Sequence, residues 1–383
     1  MTTRRRLLVS LLLIGGLSAA FIRQAPARPA QAASTALPAN LGDQEFWRLA
    51  ETFSEPGGTF HSDNFVSNEG GFQRVIPELL TRARPGGLYV GVGPEQNFTY
   101  MAALRPRMAF ILDIRRGNLQ EHLLYKALME MSSDRADFLA RLFSRDRPAG
   151  LGPTATVEAI FGALDSVRPT EAHYRANLKA ITDWLTKKHG FALHPEDIEG
   201  LDYIYKTAFF ADGPDLGYAL TGRGRVGSPS YAELMAVDDG AGNQRSYLAT
   251  EESFAFIKQL ESRNLIVPVV GDFAGPQALR AIGKYVRDHG ATVGAFYLSN
   301  VEQYLRQDGK WDTFCANVAS MPLDPSSTFI RSVRGGGGGR GNFGGGGRGS
   351  FEMFTSSLGD MRADTRACAA PSRRDAAGVE MVR

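Results

Sequence analysis

"GGLYVGVGPEQNFTYMAALRPRMAFILDIRRGN", Gly86 to Asn118, decides the fold. It opens on an apolar run with β-branched and aromatic residues. That run ends in Gly91-Val92-Gly93, the pattern of a buried strand entering a tight turn. A helical stretch follows, then a second apolar strand closed by an acid, Asp113. Strand, glycine turn, helix, strand and acid is how a nucleotide-type site begins. The glycines let backbone approach a ligand where a Cβ would collide. An acid roughly 20 residues beyond them is placed to accept from ribose hydroxyls.

Outward from this unit, the chain divides by composition. It has 383 residues, 43% of them hydrophobic, enough for a sizeable core, and a formal charge of +2. So balanced a charge offers no general attraction to nucleic acid or to an anionic membrane. Residues 1–32 read as a signal peptide: Arg4, Arg5 and Arg6, an apolar run from Leu7 to Phe21, and Ala30-Gln31-Ala32 as cleavage site. The mature chain is then expected to start near Ala33 and to be exported to the periplasm or extracellular space. "TRRRLL" resembles a twin-arginine signal. An uncleaved signal anchoring the chain to a membrane is the alternative.

Residues 33–71 form a spacer, a helix around Phe46 to Phe53 and the polar stretch "HSDNFVSNE" (His61 to Glu69), a lid-like segment or simple turn chemistry. Residues 72–117 hold the first part of the sheet domain, and 118–252 read as a mostly helical insertion, with "GRGRVGSPSYAELM" as loop before a short element. The α/β alternation returns over 253–334. "LIVPVVGDF" (Leu265 to Phe273), "ATVGAFYLSN" (Ala291 to Asn300) and "STFIRSV" (Ser327 to Val333) are strands. Residues 335–383 open with "GGGGGRGNFGGGGRG", which resembles the RGG segments of RNA-binding proteins but has only Arg340, Arg348 and Phe343 within it. A glycine-rich linker and disordered tail is the expectation there.

Alternating strands and helices imply a parallel sheet covered on both faces, with ligands at the carboxyl ends of the strands. Those ends carry Gly91, Gly93, Glu95, Gln96 and Asn97, then Asp113 with Arg115 and Arg116, either of which can pair with that acid in place of a ligand, then Asp272 and Phe273, then Ser299, Asn300 and Glu302. The order resembles the class I S-adenosylmethionine-dependent methyltransferase fold: a Rossmann-like, mainly parallel sheet, here with an inserted helical subdomain. The resemblance covers Phe72 to Asp113 and Leu265 to Val333. It implies that the glycine turn and Asp113 hold S-adenosylmethionine, with Asp272 and Phe273 beside adenine and the fourth strand carrying substrate groups. The chain is also similar throughout to a bacterial family of unknown function sharing the phrases "VGPEQNFTY…DIRR" and "SNVEQYL". One departure matters. The family's G-x-G-x-G run has Glu95 at its third glycine, where an acid would meet the methionine carboxylate unless it turns away, and it also argues against pyrophosphate at this helix start.

Other chemistries lack their residues. The two cysteines, Cys315 and Cys368, form no C-x-x-C pair, and a bridge between them stays open. None of the six histidines lies in H-E-x-x-H, so no metal site is expected. There is no G-x-S-x-G elbow, and Ser62-Asp63-Asn64 lacks the S-x-x-K that a serine β-lactamase needs. Asp63, Asn64, Asn68, Glu69, Asn300 and Glu302 are the substrate-cleft candidates. No catalytic base stands out. Two functions remain: a methyltransferase-like enzyme using S-adenosylmethionine, or a non-catalytic module of the cell envelope binding a small molecule or a protein. The expected partner is a small molecule, without nucleic acid and without a membrane once the signal is cleaved.

Overall fold

The apolar runs that end in Gly91, Asp113, Val270 and Ser299 lie side by side. In the computed structural model, which describes residues 36–220, 224–334 and 354–369, the strands are β1 (Leu88–Gly91), β2 (Met108–Asp113), β3 (Gly217–Leu220), β4 (Gly224–Ser230), β5 (Ile266–Val270), β6 (Val293–Ser299), β7 (Thr328–Arg334) and β8 (Phe354–Asp360). Six of them form one sheet in the order β5-β2-β1-β6-β7-β8, and β3 pairs with β4 apart from it. The first five run parallel, and only β8 is antiparallel, to β7. Every residue of β1, β2 and β5 is buried, as a parallel sheet covered on both faces requires. From β1 the chain moves outward through β2 and β5 on one side and through β6 and β7 on the other. The crevice where the order reverses is where ligands bind in open α/β sheets.

The helices follow from their apolar stripes. α1 (Asp43–Phe53), α2 (Ile76–Arg82) and α3 (Gln96–Leu104) lie before β2. Between β2 and β5 come α4 (Arg116–Met131), α5 (Arg135–Leu142), α6 (Val157–Asp165), α7 (Glu171–Asp183), α8 (Pro195–Ile204), the β3–β4 pair, α9 (Tyr231–Ala236) and α10 (Glu251–Ser262). After β5 come α11 (Ala278–Asp288), α12 (Val301–Gln307), α13 (Trp311–Ala319) and α14 (Met361–Ala369). The fold is therefore α/β, with a Rossmann-like, mainly parallel sheet and a mostly helical insertion. The insertion is closed by Arg135, which is 1% exposed. Its guanidinium donates to the carbonyls of Leu248, Ala249, Pro153 and Ala155 and to Glu251, so the charge is buried with its donors satisfied.

β5 is an edge strand, which is why Pro268 is tolerated within it. The chain after α1 covers that edge: Glu55 N–H donates to Val270 O at 2.8 Å, and Val270 N–H donates to Ser54 Oγ at 2.9 Å. Two expectations are corrected. The stretch read as loop before "SYAELM" contains β4. The supposed tail contains β8 and α14, because seven residues of β8 pair in register with β7 and Cys368 of α14 is bridged to Cys315 of α13. The signal segment, the cleavage site near Ala33 and the glycine tract lie outside the described residues. No helix among the described residues is long and apolar enough to cross a membrane.

Candidate functional site

A cleft of about 510 Å³ opens at the carboxyl ends of β1, β2, β5 and β6, within the range of small-molecule sites. Gly93, Asp113, Asp272, Phe273 and Asn300 line it from the strand ends. Asn64 and Asn68 line it from the segment before the sheet. That segment is pinned across the strand ends: Gly58 N–H donates to Ile114 O at 2.7 Å, and Ser62 Oγ donates to Ala219 O at 2.6 Å.

The two glycines do different work. Gly93 has φ +75°, a conformation glycine adopts without strain, and its backbone forms part of the cleft wall. Gly91 does not line the cleft. A Cβ there would lie 1.9 Å from Asn97 Oδ1, so its smallness serves packing. Asn97 is fully buried and fastens the turn: Nδ2 donates to Val92 O (2.9 Å), Gly93 O (3.2 Å) and Pro94 O (2.8 Å), while Oδ1 accepts from Tyr89 OH at 2.9 Å. His122 reaches the same turn from α4, with Nε2 2.9 Å from Gly93 O. Burial lowers its pKa to about 4, so the neutral ring places its proton on Nε2 and donates.

Glu95 turns inward. Its carboxyl is buried away from the cleft, where the backbone N–H groups of Glu95 and Ser67 are its polar neighbours and no side chain bonds it. Burial pushes its pKa up to about 8, and burial together with neighbouring Glu95 pushes Glu121 of α4 well above the carboxylate range. At neutral pH both acids are mainly protonated. The conflict expected between Glu95 and a ligand carboxylate therefore does not arise.

Asp113 is held by Arg115. Asp113 Oδ1 accepts from the Arg115 backbone N–H (2.9 Å) and Nε (3.1 Å), and Oδ2 accepts from Nη2 (2.8 Å). The Arg115 guanidinium also donates to Asp63 O. A carboxylate has about four acceptor positions, so only one on Oδ2 remains open to a ligand. Asp272 accepts from Ala274 N–H at 2.9 Å and from Lys310 Nζ at 2.6 Å. Asp308 is the third carboxylate on the wall. With Arg115 and Lys310 as its cations, the lining carries one net negative charge.

The remaining candidates lie off the cleft. Asp63 Oδ2 accepts from Tyr203 OH at 2.9 Å. Glu302 is forked by Arg331 at 2.8 and 3.0 Å. Glu69 is 1% exposed beneath the floor, where it accepts from Ser299 Oγ (2.7 Å), Tyr297 OH (2.8 Å) and Gln96 Nε2 (3.0 Å). Burial raises its pKa, and those donors offset part of the rise. Gln96, read at the end of the first strand, lines the cleft, whereas Tyr297, Tyr304 and Lys310, which also line it, were missed by the sequence reading. For Tyr304 a signal was present: it stands one helical turn after Val301, which also lines the cleft. Among the described residues, no group of three or more His, Cys, Asp or Glu is arranged to hold a metal.

Comparison with known proteins gives a family and no activity. A family model described as a domain of unknown function (DUF7790) matches residues 64–344. No curated protein matches the chain. Among solved structures, the rRNA methyltransferase aviRa from Streptomyces viridochromogenes matches with a TM-score of 0.31 at 10% identity, covering 88% of this chain and 100% of that one. At that score the likeness carries no weight, and the fold stands on the sheet order.

Proposed function

The chain belongs to the DUF7790 family, whose description assigns no activity, and from the cleft we propose that it is an exported protein binding a small molecule of nucleoside type, with S-adenosylmethionine or a close relative as the first ligand to try. One observation carries this reading: Gly93, Asp113, Asp272 and Phe273 line a single cleft at the switch point of a methyltransferase-like sheet. The net negative lining supports a neutral or cationic ligand and disfavours a pyrophosphate. The Cys315–Cys368 bridge supports an oxidising compartment, and so the signal reading of residues 1–32.

The fit to S-adenosylmethionine is incomplete at one point. Gly93 leaves room, and Phe273 offers a ring beside Asp272. Two ribose hydroxyls, however, need two acceptor positions on Asp113, and Arg115 leaves one. When bound, the cofactor would supply an electrophilic methyl group. No side chain in the cleft is identified as the base for an acceptor, and no transfer step is assigned. The Arg115 fork favours the second reading, a non-catalytic small-molecule module on this scaffold.

Calorimetric titration with S-adenosylmethionine and S-adenosylhomocysteine separates the two. The nucleoside reading expects Asp113→Ala to weaken binding by about tenfold or more, since a charge-assisted hydrogen bond is worth about 1.5–3 kcal/mol. Absence of binding at millimolar ligand by a folded wild-type chain rejects it and leaves the second reading.

A further inference from the structure

The cleft also carries amides that the nucleoside reading does not use. Asn64, Asn68 and Asn300 line it, and none of their side-chain amides has a hydrogen-bond partner among the described residues. Asn300 precedes α12 without making a side-chain cap bond, so capping does not account for it. Asn64 holds φ +50°, a left-handed conformation that asparagine tolerates better than most residues. Each carboxamide presents one acceptor oxygen and two N–H donors. Three such groups around one space are hydrogen-bonding equipment for something other than this chain.

Three mutually packed rings line the same cleft. Phe60 and His61 have centroids 4.0 Å apart, and Tyr304 lies 5.2 Å from Phe60 and 5.6 Å from His61. The two cations of the cleft are already engaged, Arg115 with Asp113 and Lys310 with Asp272. Nothing here answers an anionic ligand. A peptide would want a sheet edge to pair with along its backbone. The combination of bidentate amides, an aromatic wall and no unengaged cation suits a neutral molecule rich in hydroxyl or amide groups with one apolar face. A pyranose ring has that form: hydroxyls around its rim, C–H groups on its face.

We propose that Asn64, Asn68 and Asn300, backed by Phe60, His61 and Tyr304, form a binding site for a short neutral saccharide. The site rests on the cleft being a ligand site and not on the nucleoside. Asn64 stands beside Gly93, so saccharide and nucleoside share the cleft and compete for it.

The test is titration of the full chain with the N-acetylglucosamine trimer, cellotriose and maltotriose. At least one binds with a Kd of about 1 mM or tighter. Asn68→Ala and Asn300→Ala each weaken that binding by about five- to tenfold, the value of one or two neutral hydrogen bonds. Tyr304→Ala weakens it by about tenfold. Both asparagines are half-buried and partnerless, so their variants melt with the wild type. No binding of any of the three at about 10 mM, or variants that bind as tightly as the wild type, overturns the proposal. The nucleoside titration is read separately. A chain that binds saccharide but no nucleoside keeps this site and loses the reading above, and the opposite result does the reverse.

Discussion

Gly91 and Gly93 are two residues apart, yet one is a packing residue and the other a cleft residue. A methyl at Gly91 would displace Asn97 Oδ1 and crowd Tyr89. Gly91→Ala is therefore expected to lower stability by about 1–3 kcal/mol, the usual cost of overpacking, measured by urea unfolding. A variant as stable as the wild type would mean that Asn97 does not fasten the turn. The same contrast shows where reading residues in order reaches its limit. The glycine pair and the acid after the second strand were legible, because apolar runs broken by glycine are local patterns. The direction in which Glu95 turns was not, since it depends on what α4 brings up behind it. Arg115 stands two places beyond Asp113, but whether its guanidinium folds back onto the acid depends on the backbone path through Ile114. Asn64, Asn68 and Asn300 were legible as cleft candidates only in company with Asp63, Glu69 and Glu302; which of the six line the cleft is decided by the packing of chain segments over two hundred residues apart.

At the scale of elements, α1 is fastened to the insertion by a histidine between two acids. His189 Nδ1 lies 2.7 Å from Asp43 Oδ1, and Nε2 lies 2.7 Å from Glu130 Oε2. Burial alone would lower the His189 pKa, but the hydrogen bonds to Glu130 and Asp43 carry it above its ordinary value. Burial likewise works to raise Glu130, but His189 and Lys126 hold it down at about 2. The sign follows for each. The histidine's contribution is complete below its unfolded pKa, about 6.5, and fades as pH rises through the higher folded value. The carboxylate's contribution is complete above its unfolded pKa, about 4.3, and fades as pH falls towards 2. The stability difference between wild type and His189→Gln should therefore be greatest between about pH 4.5 and 6.5 and shrink above neutrality. Urea midpoints across pH measure it, and a difference that stays level would remove the clasp. β8 and α14 were the elements least legible in the sequence. "FTSSLGD" has no sustained alternation and follows a glycine tract, so its strand character comes from the partner β7. α14 shows Met361 and Thr365 one turn apart as buried positions, a stripe too short to announce itself.

The whole molecule depends on that late pair. Ser356 of β8 lies 3.3 Å from Tyr100 OH, which accepts from Gln96 Nε2 at 3.2 Å, and Gln96 in turn donates to Glu69 beneath the cleft floor. A chain cut at residue 334 loses this support, the antiparallel cover of β7 and the bridge to Cys315. It is expected to melt far below the wild type or to be insoluble. Cys368→Ser alone should cost about 2–4 kcal/mol, and wild type in reducing agent should match it. A truncated chain that melts like the intact one would show the late pair to be dispensable.

The ladder between β7 and β8 ends on Arg334 opposite Phe354, so the polypeptide leaves the sheet and re-enters it at one spot. The entropy of closing such an excursion grows only with the logarithm of its length. A connection between those two partners can therefore change in length at small entropic cost. β7 runs parallel to β6, so a fluorescent domain spliced there would emerge at the strand end that carries the cleft, and ligand titration of such a fusion would read how close the splice stands to the site.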